Sequence, residues 1–261
     1  TQQFYFNPYV SRKPDKSKQF SITGISAGLA KRVQWPDDYF TISHSLGYQL
    51  YNFQDYNLGL FNFGNGKSNS IAYTLGISRN ALDGGRIYPR SGSNFELTAK
   101  FTPPFSLFNN IDYKQLNLDQ EVAIEERNSE EIERIDQERF KWLEFYKVNF
   151  KGDWYTTLVD KLVLRTNAEF GFLGSYNEEV GKVPFDRFFV GGDGMGNFTL
   201  DGRDVIALRG YENQSLTPFG TDPLSGGQTQ DGGIVYNKYS LELRYPLTLK
   251  PSASIYGQVF L

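Results

Sequence analysis

Two charged residues stand in settings that allow defined chemistry: Arg209, within Ala207-Leu208-Arg209-Gly210-Tyr211, and Glu242, within Ser240-Leu241-Glu242-Leu243. Arginine carries a planar, permanently charged fork that binds a carboxylate through two parallel hydrogen bonds. Gly210 beside it lets the backbone turn tightly. Glu242 falls on the polar face of a strand-like run, so a long loop carrying Arg209 into the same interior would find a carboxylate there. Such a loop needs an anchor, because ordering it costs roughly 1–2 kcal/mol per residue. The alternative for Arg209 is a solvated loop position. Upstream, Phe188-Phe189-Val190-Gly191-Gly192 supplies aromatic side chains and two glycines with which the same loop could pack.

The remaining inventory is poor in catalysts. The chain has no Cys and one His, which excludes thiol chemistry, disulfides, Cys-based zinc sites and any centre needing two histidines. Gly192-Asp193-Gly194-Met195-Gly196 is glycine-rich, but no βαβ unit surrounds it, so a phosphate loop is not expected. Asp193, Asp201 and Asp204 lack the spacing of a calcium loop. Asn197-Phe198-Thr199 fits a glycosylation sequon that has no meaning in the compartment implied below. His44 lies on an apolar face and reads as a packing or interfacial residue rather than a ligand. The formal net charge of −3 argues against a broad nucleic-acid surface. The sequence therefore predicts no catalytic residue, no metal, no cofactor and no nucleic-acid partner; the chain does not read as an enzyme.

The elements that would position Arg209 and Glu242 are strands. Phe40, Ile42, His44, Leu46, Tyr48 and Leu50 alternate with Thr41, Ser43, Ser45, Gly47 and Gln49, a period of two. The pattern recurs with Ile71, Tyr73, Leu75 and Ile77, with Phe95, Leu97, Ala99 and Phe101, with Leu162, Leu164, Ala168, Phe170 and Phe172, and with Val235, Tyr239, Leu241 and Leu243. Softer runs are Phe20–Gln34, Trp142–Lys151 and Ser252–Leu261, and Gln3–Val10 is short. About nine strands follow, many longer than the roughly 5–6 residues of soluble strands and matching the about 9–11 of a tilted membrane strand. Lys100, Arg165, Glu169, Glu242 and Arg244 sit mid-strand opposite the apolar face. A transmembrane barrel places such charges in a wet lumen and its apolar residues against lipid. A soluble sandwich or lipocalin-like barrel remains the alternative on periodicity alone. Aromatics make up 16% of the chain while its mean hydropathy is −0.48, and it holds no run of 18 apolar residues, so helical spans are excluded. The expected class is all-β, an antiparallel transmembrane β-barrel of the outer-membrane type, filling residues 1–261.

Connections alternate in length. Short turns are expected at Trp35–Asp38, Pro89–Gly92, Gly152–Tyr155 and Pro246–Pro251, and long ones at Phe53–Lys67, Thr102–Lys141 and Gly174–Gly233, the last inserted into the lumen. Outer-membrane barrels pair short periplasmic turns with long outer loops in this way. Tyr9 and Gln34 both precede short-turn signals, so their strands should run the same way; either a strand is missing near Pro14–Lys18 or Gln3–Val10 is not a membrane strand. Within the outer loop 104–141, residues 119–141 hold nine acidic and four basic side chains, leaving the rest of the chain at +2. Ile132, Ile135, Phe140 and Leu143 predict a short amphipathic helix over Glu130–Leu143. The insert is either a solvated face or a docking site for a surface partner.

Leu208-Arg209-Gly210-Tyr211, following an aromatic–x–Gly-Gly stretch at Phe189–Gly192, resembles the loop signature of the BamA family, outer-membrane barrels that assemble other barrels. Ser240-Leu241-Glu242-Leu243, Asn7-Pro8-Tyr9 and Tyr88-Pro89-Arg90-Ser91-Gly92-Ser93 resemble further family runs, in family order. The resemblance implies strands four to thirteen of a sixteen-stranded barrel, without the POTRA repeats. It implies a loop lock made by Leu208, Arg209, Gly210, Tyr211 and Glu242, with Phe189, Gly191 and Gly192 packing the loop. It also implies a bacterial outer-membrane location and a central role in a multi-subunit machine that inserts unfolded β-barrel substrates into the lipid bilayer, beside periplasmic lipoprotein subunits and without a cofactor. Catalysis would occur at a seam between strands outside this chain. The alternatives are the two-partner polypeptide-secreting pore, which shares the loop motif, and a passive porin, which leaves the Arg209 tetrapeptide unexplained.

Overall fold

The computed structural model describes residues 2–14, 19–54, 65–85, 87–194, 203–221, 224, 226–250 and 252–260. Nine long strands form one antiparallel sheet: β1 (Gln2–Pro14), β2 (Gln19–Val33), β3 (Phe40–Gln54), β4 (Gly66–Asp83), β5 (Ser91–Phe101), β6 (Tyr146–Val159), β7 (Leu162–Gly174), β12 (Val235–Lys250) and β13 (Ala253–Phe260). Each pairs with its sequence neighbour, except that β7 pairs with β12 across the segment carrying β8 (Phe188–Val190), β9 (Asp204–Ile206), β10 (Phe219–Thr221) and β11 (Gln228–Gln230). β1 and β13 are the sheet's edges.

The two faces are inverted relative to a soluble protein. Leu46 is 59% exposed and Tyr239 72%, and Ile25, Leu29, Tyr73, Phe170, Leu241 and Leu243 also point outward into the open. On the opposite face Ser68, Ser70, Asp153, Asn167, Glu169 and Arg244 are buried. Water would drive the reverse arrangement, because each exposed large apolar side chain forgoes roughly 1.5–3 kcal/mol of burial. Lipid around the sheet removes that penalty. His44 belongs to the outer face, its Nδ1 2.6 Å from the Tyr73 hydroxyl, and no metal-binding cluster occurs among the described residues.

The segment between β7 and β12 lies on the inner face. Val183, Phe185, Phe188 and Ile206 form a buried cluster with Phe20, Ile22, Tyr51, Phe53 and Leu173 of the wall and with Leu143 and Phe145, which lead into β6. The outer connection 102–145 builds two helices, α1 (Tyr113–Glu125) and α2 (Ser129–Arg139). Asp112 caps α1 by accepting from the Lys114 and Gln115 amides, and Asn128 caps α2 by accepting from the Glu131 amide. Tyr113, Leu116, Ala123, Ile132 and Ile135 enclose Val180 of the inserted segment. Asn69 then receives Leu143 N–H and donates to the Lys141 carbonyl, joining the helical connection to β4.

Four sequence expectations are corrected. No strand is missing near Pro14–Lys18: β1 pairs directly with β2, Pro14 opposite Gln19, and the four residues between lie outside the described set. Asn7-Pro8-Tyr9 is mid-strand in β1, so no short turn follows Tyr9. Gly152–Tyr155 and Pro246 also lie within strands; β6 runs on to Val159 and β12 to Lys250 before the chain reverses. Gly152 is there for space, since a Cβ would fall 2.6 Å from the Trp154 ring. Pro246 sits at a register shift that spares the ladder its missing donor. The predicted helix ends at Arg139, and Phe140 and Leu143 pack beyond it.

Candidate functional site

The inner wall beneath the inserted segment is a ladder of opposite charges set by register. Glu242 of β12 stands opposite Arg165 of β7, and Lys238 opposite Glu169. The Glu242 carboxylate accepts from Arg165 at 2.5 Å and from Arg244 at 2.6 Å; Arg165 also reaches Asp153 at 2.7 Å. Glu169 takes Lys238 at 3.2 Å and Lys151 at 3.5 Å. Cross-strand neighbours two residues apart share a face, which is why strands with alternating polarity build such a ladder.

Above this wall the two glycine-containing motifs meet. Phe188 and Phe189 are fully buried in β8, which pairs in parallel with β9. The chain then turns at Gly191 (φ 124°) and Gly192 (φ 88°), and the Gly192 carbonyl accepts the Leu208 N–H at 3.0 Å. A Cβ on Gly191 would lie 2.5 Å from the Glu212 carbonyl, so the close approach of the two segments needs glycine. Leu208–Tyr211 forms the turn between them, with Gly210 at φ 88° and Tyr211 N–H directed to the Leu208 carbonyl at 3.4 Å. Leu208 is half-buried, whereas Arg209 and Tyr211 are exposed toward a cavity of about 660 Å³ that Glu242, Lys151, Leu216 and Phe260 also line.

Arg209 and Glu242 thus border one cavity, but the direct ion pair expected between them is not formed. The reason is occupancy: Glu242 already holds two wall guanidiniums. The Arg209 guanidinium instead lies 4.5 Å above the centre of the Phe260 ring on β13. Asp193 and Asp204 lie among the described residues; Asp201, the Met195–Gly196 stretch and the Asn197 sequon do not.

The ion pairs that do tie segment to wall were not foreseen. Lys147 of β6 reaches Asp204 at 2.9 Å, and Asp186 at 2.8 Å to its carbonyl and 3.4 Å to its carboxylate. Lys100 of β5 reaches the Asp186 carboxylate at 3.0 Å. Burial pushes the Asp186 acid upward, yet the two ammonium groups outweigh it and hold its pKa down at about 2. Beside it Arg187 donates to the carbonyls of Val183, Lys182 and Asp231. Lys100 could be seen on a polar face; nothing in the sequence tied it to an aspartate 86 residues later.

The Omp85 superfamily domain matches residues 1–261 from end to end. The chain belongs to the Omp85 superfamily. Omp85 proteins are outer-membrane barrels, which agrees with the outward apolar faces and assigns the chain to that membrane. Comparison with curated proteins by sequence gives no match. Among solved structures, the crystal structure of BamA from Haemophilus ducreyi lacking POTRA domains 1–3 superposes with a TM-score of 0.60 at 19% identity, over 99% of this chain and 48% of that one. This Omp85 chain therefore spans about half the length of that structure and shares its fold.

Proposed function

We propose that this Omp85 chain is the barrel of an assembly machine that inserts unfolded β-barrel proteins into the outer membrane without a cofactor, alongside periplasmic lipoprotein subunits. What supports this over a passive porin is the packing of the inserted segment: Phe185, Phe188 and Ile206 are buried against Phe20, Tyr51 and Phe53 of the wall, filling interior that a diffusion channel needs open. The likeness of fold to BamA adds to it. The physical task is to present unpaired backbone groups to an incoming strand, since lipid leaves such groups no other partner. Within the barrel, the turn Leu208, Arg209, Gly210 and Tyr211 covers the Glu242 wall without locking to it, Arg209 resting on Phe260, and Phe189, Gly191 and Gly192 hold the base of the turn. The charged α1–α2 hairpin serves as a solvated outer cap.

The test is reconstitution of the full-length protein in liposomes with a urea-unfolded outer-membrane barrel protein, followed by heat-modifiable gel mobility. The expected result is folding at least tenfold faster than in empty liposomes. If folding is not accelerated but a secreted polypeptide is carried across, the two-partner secretion reading replaces this one; if only small solutes pass, the porin reading does.

A further inference from the structure

Four consecutive residues of the inserted segment, Phe185-Asp186-Arg187-Phe188, touch strands far apart in the sheet. Phe185 stacks on Tyr51 of β3 at 4.1 Å between ring centres, and on Phe53 at 5.5 Å. Phe188 meets Tyr236 of β12 edge-on at 4.8 Å. Between them Asp186 takes Lys100 of β5 and Lys147 of β6, and the same two ammonium groups lie over aromatic rings, Lys147 above Phe188 at 4.7 Å and Lys100 above Phe145 at 5.1 Å.

β3 and β12 are separated by five strand-to-strand steps in the sheet order. At about 4.8 Å per step they lie roughly 24 Å apart along the sheet. Four extended residues reach only about 13–14 Å. The tetrapeptide closes the distance because the sheet curls and because aromatic side chains extend it at both ends. Its span is therefore matched to one curvature. Asp186 has φ 61°, a left-handed conformation that a non-glycine residue adopts at a cost, here held by two lysines and flanked by two buried rings. Arg187 stiffens the same stretch by its three bonds to carbonyls on either side of it in the segment.

We propose that Phe185–Phe188 is a cross-lumen staple that ties β3 to β5, β6 and β12 and so sets how far the two flanks of the sheet can part. This assigns the main fastening of the inserted segment to Asp186 and its lysines, with the Arg209 turn as the freer end. It does not depend on which substrate the barrel handles.

Residues 1–261 contain no cysteine, so once any cysteine elsewhere in the full-length protein is replaced by serine, two introduced spin labels report without background. Labels at Leu46 on β3 and Leu241 on β12, both on the outer face, give a distance distribution across the staple by pulsed electron resonance in the full-length protein. The expected result is a narrow distribution in the parent and in Asp186→Glu, and one at least twice as wide and shifted to longer distance in Asp186→Asn and in Lys100→Gln with Lys147→Gln. Val180→Ala, which opens a comparable core under the helical cap away from the staple, should leave it narrow. An unchanged distribution in Asp186→Asn and the double lysine variant overturns the staple, as does equal broadening by Val180→Ala. If Asp186→Asn does not fold, Phe185→Leu removes the β3 stack alone and is read against the same two outcomes.

Discussion

Lys147 on the barrel wall and Asp204 on the inserted segment form an ion pair of 2.9 Å, with the lysine side chain only 6% exposed. The same ammonium donates to Asp186, so a single wall residue holds two points of the segment 18 residues apart. Lys147→Met keeps the length of the side chain and removes the charge. It should cost about 2–4 kcal/mol, because it leaves two carboxylates in a confined site with only Lys100 close by. Thermal unfolding followed by gel mobility checks this; a loss below about 0.5 kcal/mol would mean that lumen water screens the pair.

Acid should loosen the segment through Asp186. Its folded pKa of about 2 lies below the ordinary 3.8, so the charged form is favoured in the folded state. The stability it contributes is fully present above about pH 4 and is lost as the pH falls toward 2. Protease access to the inserted segment, sampled across that range, should rise in the parent. Asp186→Asn should start looser and lack this component. Parallel curves for the two proteins would contradict the assignment.

Two glycines of the loop should differ in their tolerance of alanine. Gly210 has a positive φ and nothing within 4 Å of where a Cβ would point, so Gly210→Ala should cost about 1–2 kcal/mol from the backbone alone. Gly191→Ala adds a clash with the Glu212 carbonyl and should cost clearly more. Limited proteolysis within 203–217 separates the two; equal sensitivity would mean the Gly191 crossing relaxes freely.

Arg209 and Glu242 should behave as nearly independent residues. Glu242→Ala leaves Arg165 and Arg244 facing each other, whereas Arg209→Ala removes a cation from above Phe260. A double-mutant cycle should give a coupling under about 0.5 kcal/mol, with Glu242→Ala the costlier single change. A coupling of about 1 kcal/mol or more would revive the direct pair.

Polarity on the outer face should be penalised by depth. Leu46→Arg should lower stability by roughly 2–4 kcal/mol, while Ser45→Arg, one residue away on the inner face, should be tolerated. Yield of folded protein in membranes distinguishes them; the opposite ranking would turn the barrel inside out.

What the sequence made legible was whatever depends on local period. Phe40–Leu50 and Ile71–Ile77 gave their strands and faces, because a side-chain repeat of two survives in any sheet. Breakers misled where the fold used them for something else: Gly152 gives room to Trp154, and Pro246 sits at a register shift. α1 was hidden because Leu118 and Val122 are exposed while Leu116 and Ala123 are buried, leaving no single apolar stripe. At the site, Leu208–Tyr211 and Glu242 were visible as motif and face. Their pairing was not decidable, since Arg165 competes for Glu242 only once β7 and β12 are in register. The Asp186 cluster joins residues 39 and 86 positions apart, and no local pattern carries that information.

The inverted sheet also bears on how the chain travels. A bacterial outer-membrane protein must first pass through an inner membrane, where about 20 consecutive apolar residues would stop it. β12 has Val235, Tyr239, Leu241 and Leu243 for lipid, yet Lys238, Ser240, Glu242 and Arg244 fall between and beside them. Read along the chain as a helix, such a run is too polar to lodge. Read as a strand in a finished sheet, it presents one continuous apolar side. The alternation that builds the barrel therefore also works as a transit permit for such a strand: its lipid-facing surface exists only after folding, and before folding β12 offers no apolar run for a membrane to hold.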